Sequence, residues 1–96
     1  MTGIELVAQE RKRQIEVEHW SAAHDAEHKD GSLAKAAACY ALYDTHFIRA
    51  DRARLIKRLW PWHSRWWKPK DCLQNLVRAG ALIVAEIDRL RAKETL

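Results

Sequence analysis

Glycine and proline are nearly missing from this 96-residue sequence, with three and two copies. Both interrupt helices. Their scarcity, beside plentiful Ala, Leu, Arg and Glu, predicts helix through most of the chain. Cysteine is confined to Cys39 and Cys72, which excludes a four-cysteine zinc site and makes a poor disulfide framework. The longest apolar run, residues 79–85, is far short of the roughly 20 residues that span a bilayer. No apolar signal-peptide run opens the chain, so a cytoplasmic protein with reduced, mostly buried thiols and no membrane partner is expected. Internal repeats, low-complexity tails, a glycine-rich phosphate loop and a Ser/His/Asp arrangement are missing as well. Ser21, Ser32 and Ser64 stand in no activating context.

What is present suits one helical domain. Nearly half the residues are apolar, enough for a single modest core. The net charge of +4 is unevenly spread. Residues 49–70 hold Arg49, Arg52, Arg54, Lys57, Arg58, Arg65, Lys68 and Lys70 against Asp51 alone. That segment is either a solvated face or an electropositive surface for phosphates or an acidic partner.

Periodicity divides the chain into helices. Residues 4–19 place Ile4, Val7, Ala8 and Ile15 on one face, with Arg11, Gln14 and Glu18 on that same face. This polar row is buried with partners, lines a pocket, or marks where the helix rises into water. Residues 19–31 form a polar linker ending in an Asp30-Gly31 turn, with Ser32 as N-cap. A second helix over residues 33–47 carries Leu33, Ala36, Ala37, Tyr40, Ala41, Phe47 and Ile48 inward. Asp44 falls within that face, and Arg11 is its candidate partner. Residues 49–60 continue as helix, with Leu55, Ile56, Leu59 and Trp60 apolar, Arg52 inside the apolar arc, and Pro61 as terminator. The last helix starts at an Asp71 cap with Gln74 three residues on. Leu73, Leu76, Val77, Gly80, Ile83, Val84, Ile87 and Leu90 are its expected inward stripe. Gly80 costs roughly 1 kcal/mol in a helix interior, so close packing against the second helix's alanines or a tryptophan ring is expected there. Leu82 falls opposite, exposed or at another subunit. The result is an all-α, compact three- to four-helix bundle with an ordered Trp/Pro-rich loop before the last helix.

Two stretches carry candidate chemistry. In His24-Asp25-Ala26-Glu27-His28, a helical turn would bring His24 and His28 to one face at the i, i+4 spacing that holds a divalent metal. Asp25, His19 or Glu18 would supply a third ligand. The zinc-protease motif needs glutamate after its first histidine, and here aspartate stands there. Linker side chains that cap helix ends, or that bind a phosphate or base without metal, are the competing readings. An all-α NTP pyrophosphatase needs paired glutamates on a helix for Mg²⁺; Glu27 and Asp30 lie in the linker, and residues 33–38 offer alanines instead. The other stretch is Trp60-Pro61-Trp62-His63-Ser64-Arg65-Trp66-Trp67-Lys68-Pro69-Lys70. Its indoles serve as core, as a stacking platform for bases beside basic side chains, or as protein-interface anchors.

The string from Glu10 to Trp20, then His24-Asp25-x-Glu27-His28, Gly31-x-Leu33-Ala34-x-Ala36-Ala37-x-Cys39-Tyr40-Ala41, Trp60-Pro61-Trp62, Trp66-Trp67-Lys68-Pro69-Lys70-Asp71 and Leu76-Val77-Arg78-Ala79-Gly80-Ala81-Leu82-Ile83 resembles a family of small, uncharacterised phage and prophage proteins. The resemblance covers most of the chain and is weakest over residues 46–59. It implies a bacteriophage or bacterial accessory protein in the host cytoplasm. The chain departs from the family pattern where His19 precedes Trp20 and Ala26 follows Asp25. The combined expectation is a non-enzymatic binder of a nucleotide, a nucleic acid or a host defence protein, with no cofactor and with a homodimer open. Its site would draw on Arg11, Gln14, Glu18, Trp20, His24, Asp25, His28, Arg65, Trp66, Trp67, Lys68 and Lys70. The alternative is a metal-dependent nucleotide phosphohydrolase built on His24, Asp25 and His28.

Overall fold

A threonine and a glutamate begin the first helix. In the computed structural model, which describes residues 1–18, 30–44 and 49–94, α1 runs Gly3–Glu16. Thr2 Oγ1 accepts the Glu5 N–H at 3.3 Å, and Glu5 Oε1 accepts the Thr2 N–H at 3.0 Å, a reciprocal cap that the apolar pattern does not reveal. α2 runs Ser32–Leu42. Gly31 precedes it at φ 81°, a left-handed conformation that favours glycine. Ser32, expected as the cap, is instead the first helical residue, and the Asp30 carboxylate accepts both its N–H and its hydroxyl. α3 runs Arg49–Leu59 and stops before Pro61, as the missing amide hydrogen requires. A 3₁₀ turn, Ser64–Trp66, interrupts the tryptophan loop. α4, Cys72–Glu94, is capped by Asp71 Oδ1, which accepts the Gln74 N–H at 2.8 Å.

Among the described residues the fold is all-α, a bundle of four helices with an ordered loop before the last. α4 packs against both α1 and α2, and α3 rests on α2. The core comprises Leu33, Ala36, Ala37 and Tyr40 of α2 with Ala79, Leu82 and Ala85 of α4, flanked by Trp60, Trp62 and Trp67. Small side chains let two helix axes approach closely, and the indoles cover the end of that seam.

Three expectations need correction. Most of the stripe that hydropathy predicts for α4 faces outward: Leu73, Leu76, Ile83, Ile87 and Leu90 are 47–61% exposed, Val77, Gly80 and Val84 are half-buried, and Leu82 is 1% exposed. The α2 surface is alanine-lined and accepts alanines and one leucine, so shape decides the register. On α1, Ile4 is 85% exposed and Ile15 is exposed, whereas Arg11 and Gln14 are buried. Of the polar row, Glu18 alone reaches solvent. Finally, α2 ends earlier than expected, which leaves Asp44 exposed in the following turn, where its Oδ2 accepts Asn75 Nδ2 at 2.8 Å. Phe47 and Ile48 lie outside the described residues. Gly80 does mark a close approach, but to α1: a Cβ there would sit 2.8 Å from Val7 Cγ2.

Candidate functional site

The tryptophan loop divides its rings between two roles. Trp67 stacks at a tilt on Tyr40 (centroids 4.7 Å) and Trp60 (4.9 Å), and meets Tyr43 edge-on at 5.6 Å. Trp60 meets Tyr40 and Trp62 edge-on at 5.7 and 5.4 Å. Edge-to-face and offset pairs at these separations each add about 0.5–1.5 kcal/mol beyond burial, so these rings are held before any ligand arrives. The loop backbone is fixed locally as well. Trp60 Nε1 donates to the His63 carbonyl at 3.1 Å, and His63 Nδ1 accepts the Arg65 N–H at 3.1 Å. Trp66 points the other way and is 54% exposed. The Arg65 guanidinium lies 5.1 Å and the Lys68 ammonium 5.7 Å from its ring centre.

Between α3 and this cluster lies an open cleft of about 480 Å³, lined by Tyr43, Arg52, Ala53, Ile56, Lys57, Trp60, Trp62, Ser64 and Trp67. Among the described residues, none in the lining is acidic. Arg52 explains its place in the apolar arc of α3: Nη1 donates to the Tyr43 carbonyl at 3.1 Å, and the guanidinium sits 4.5 Å from the Tyr43 ring. That pairing keeps a cation at an aromatic wall. Lys57 is exposed in the same wall, Arg58 is exposed outside the lining, and Arg54 leans to Asp51 at 3.6 Å. Tyr43, Arg52, Lys57, Trp60 and Trp62 were not among the expected site residues. Position 52, a cation in an apolar stripe, was the available signal.

Lys70 belongs elsewhere. Its backbone N–H donates to Asn75 Oδ1 at 2.7 Å, and it lines a second groove of about 750 Å³ between α1 and α4, with Glu10, Arg13, Leu73, Val77 and Arg78 among its walls. Arg78 knits the elements together there. Its Nη1 reaches the Lys68 carbonyl at 3.0 Å and Tyr40 Oη at 3.4 Å, and its Nε lies 3.9 Å from Glu10 Oε2. Glu18 bonds Arg13 Nη1 at 2.9 Å. Gln14 Nε2 donates to Glu10 Oε2 at 3.3 Å, and Gln14 Oε1 is buried without a hydrogen bond among the described residues.

The expected site thus separates into parts. Arg65, Trp66 and Lys68 gather on the outer side of the loop, Trp67 turns into the cleft wall, and Lys70 faces the second groove. Arg11 and Gln14 belong to the inward side of α1. Trp20, His24, Asp25 and His28 lie outside the described residues, and with them the metal reading. Among the described residues, no three His, Cys, Asp or Glu side chains gather as a metal site, and no helix is long and apolar enough to cross a membrane. Burial pushes the Cys39 thiol up to about 11, which leaves little nucleophilic thiolate at neutral pH. No protein family, curated protein or solved structure matches this chain.

Proposed function

We propose that the chain is a small, non-enzymatic phage- or prophage-associated accessory protein of the bacterial cytoplasm that binds a nucleotide or single-stranded nucleic acid. The observation that carries this reading is the cleft itself: three indoles and a tyrosine form its walls, Arg52 and Lys57 supply positive charge, and no carboxylate among the described residues lines it. A base stacked on an indole gains about 1–3 kcal/mol irrespective of its identity. The adjoining basic side chains neutralise phosphates and make affinity fall with salt. Trp66, open between Arg65 and Lys68, offers a second stacking face outside the cleft.

The direct test is titration of a short oligothymidylate, and separately AMP, into the protein while tryptophan fluorescence is read. Quenching should saturate, and the association constant should fall steeply from low to high salt. Lys57→Ala should lower affinity and flatten the salt slope, and Trp62→Ala should lower affinity at every salt. No quenching by either ligand, or binding indifferent to salt, would overturn the reading. A host protein as target is the second reading, favoured by the Trp66, Arg65 and Lys68 grouping, since Trp and Arg are preferred interface anchors. Capture of a single host protein that survives nuclease and is lost in Trp66→Ala would support it.

A further inference from the structure

The outward row of α4 has a regularity that neither the core nor the cleft uses. Leu76, Ile83, Ile87 and Leu90, with Leu73 at the edge of the α1–α4 groove, recur in steps of three, four and seven residues, the a and d spacing of a coiled-coil seam, while Gly80 between them is turned to Val7 of α1. The row's five large side chains are each about half exposed or more, although a seam of this kind is normally covered. The row runs over 18 residues, about 26 Å at the helical rise.

We propose that this row is the interface for a second copy of the chain. Its five aliphatic side chains expose on the order of 400 Å², the size of the largest and often functional patch on a soluble monomer. That is roughly half of the ~800 Å² each partner contributes to a stable interface, before any rim is counted. A two-fold axis places one such row on another, so each aliphatic side chain meets aliphatic neighbours and no third component is required. Charge permits the encounter. Each chain carries +4, but the basic residues concentrate on α3, which rests on α2, and on the tryptophan loop. The row itself contains no charged residue. Leu82, which sequence periodicity offered as the subunit contact, belongs to the monomer core instead.

The test is sedimentation equilibrium of the full chain across a wide concentration range. Reductant is kept present because the exposed Cys72 would otherwise link chains covalently. The wild type should approach twice the 11.2 kDa chain mass. The doubly substituted Ile83→Glu, Ile87→Glu chain should remain monomeric, with dimerisation weakened at least about a hundredfold by carboxylates placed at an apolar contact. Its helical circular dichroism should match the wild type, because both positions face solvent within the monomer. Should that variant fail to fold, the milder pair Leu76→Gln, Leu90→Gln serves the same purpose. A wild type that is monomeric throughout overturns the proposal, as does a dimer that persists in a folded variant.

Discussion

Asn75 and Asp44, 31 residues apart in the chain, are joined by a 2.8 Å hydrogen bond from Nδ2 to Oδ2. The same amide nitrogen donates to the Lys70 carbonyl at 3.0 Å, and Asn75 Oδ1 accepts the Lys70 N–H. One buried amide therefore fixes the end of the tryptophan loop to both α4 and the turn after α2. Asn75→Ala should cost about 1–3 kcal/mol in urea unfolding, because it strips partners from Lys70's backbone groups. Asn75→Asp should also destabilise at neutral pH by setting a carboxylate against Asp44, and should recover part of that loss on acidification.

The outward turn of the α4 stripe has its own signature. Leu82→Ala should lose about 2–5 kcal/mol by leaving a cavity at a closely packed site. Ile4→Ala, at a side chain almost fully in water, should change stability by no more than about 0.5 kcal/mol. Comparable losses from the two substitutions would contradict the packing described.

Three helix ends were legible in the sequence because they rest on local chemistry: Pro61 stops α3, Asp71 starts α4, and Asp30-Gly31 turns the chain into α2; the end of α2, which no proline or glycine marks, was not. Faces were legible only where hydropathy and shape agree, as at Leu33, Ala36, Ala37 and Tyr40. On α4 they disagree. Its largest aliphatic side chains form the better stripe by hydropathy, yet Ala79, Leu82 and Ala85 fit the alanine surface opposite. The cleft was half legible: the tryptophans stood out, but Tyr43 and Arg52 join them only through the fold of α3 back onto α2.

Gly80 and Val7 form a coupled pair. Alanine at position 80 gains about 1 kcal/mol of helix propensity, but its methyl would press on Val7 Cγ2, and valine has little rotamer freedom to yield. Gly80→Ala should therefore destabilise the wild type and stabilise a Val7→Ala background. A thermal-unfolding double-mutant cycle would read a coupling outside the ~0.5 kcal/mol expected of independent sites.

Acid should weaken the α1–α4 contact through Glu10. Burial pushes its carboxyl upward, but the Arg13 hydrogen bonds and charge, with Arg78 and Gln14, outweigh burial and hold it below its ordinary 4.5. A carboxyl depressed on folding lends stability that is present above the unfolded value and is lost as pH falls through the folded one. The melting temperature should therefore drop as pH falls below about 4.5. Glu10→Gln, less stable at neutral pH, should show a smaller drop over the same interval.

The alanine seam between α2 and α4 also sets how far related sequences can diverge. Ala36, Ala37, Ala79 and Ala85 are almost wholly buried, so drift there is confined to residues of similar volume. The outer faces of α3 and α4 can change composition freely while the fold persists. Distant kin should therefore share a spacing of small residues on two helices, with a tryptophan-proline segment between them, more than a profile of hydropathy.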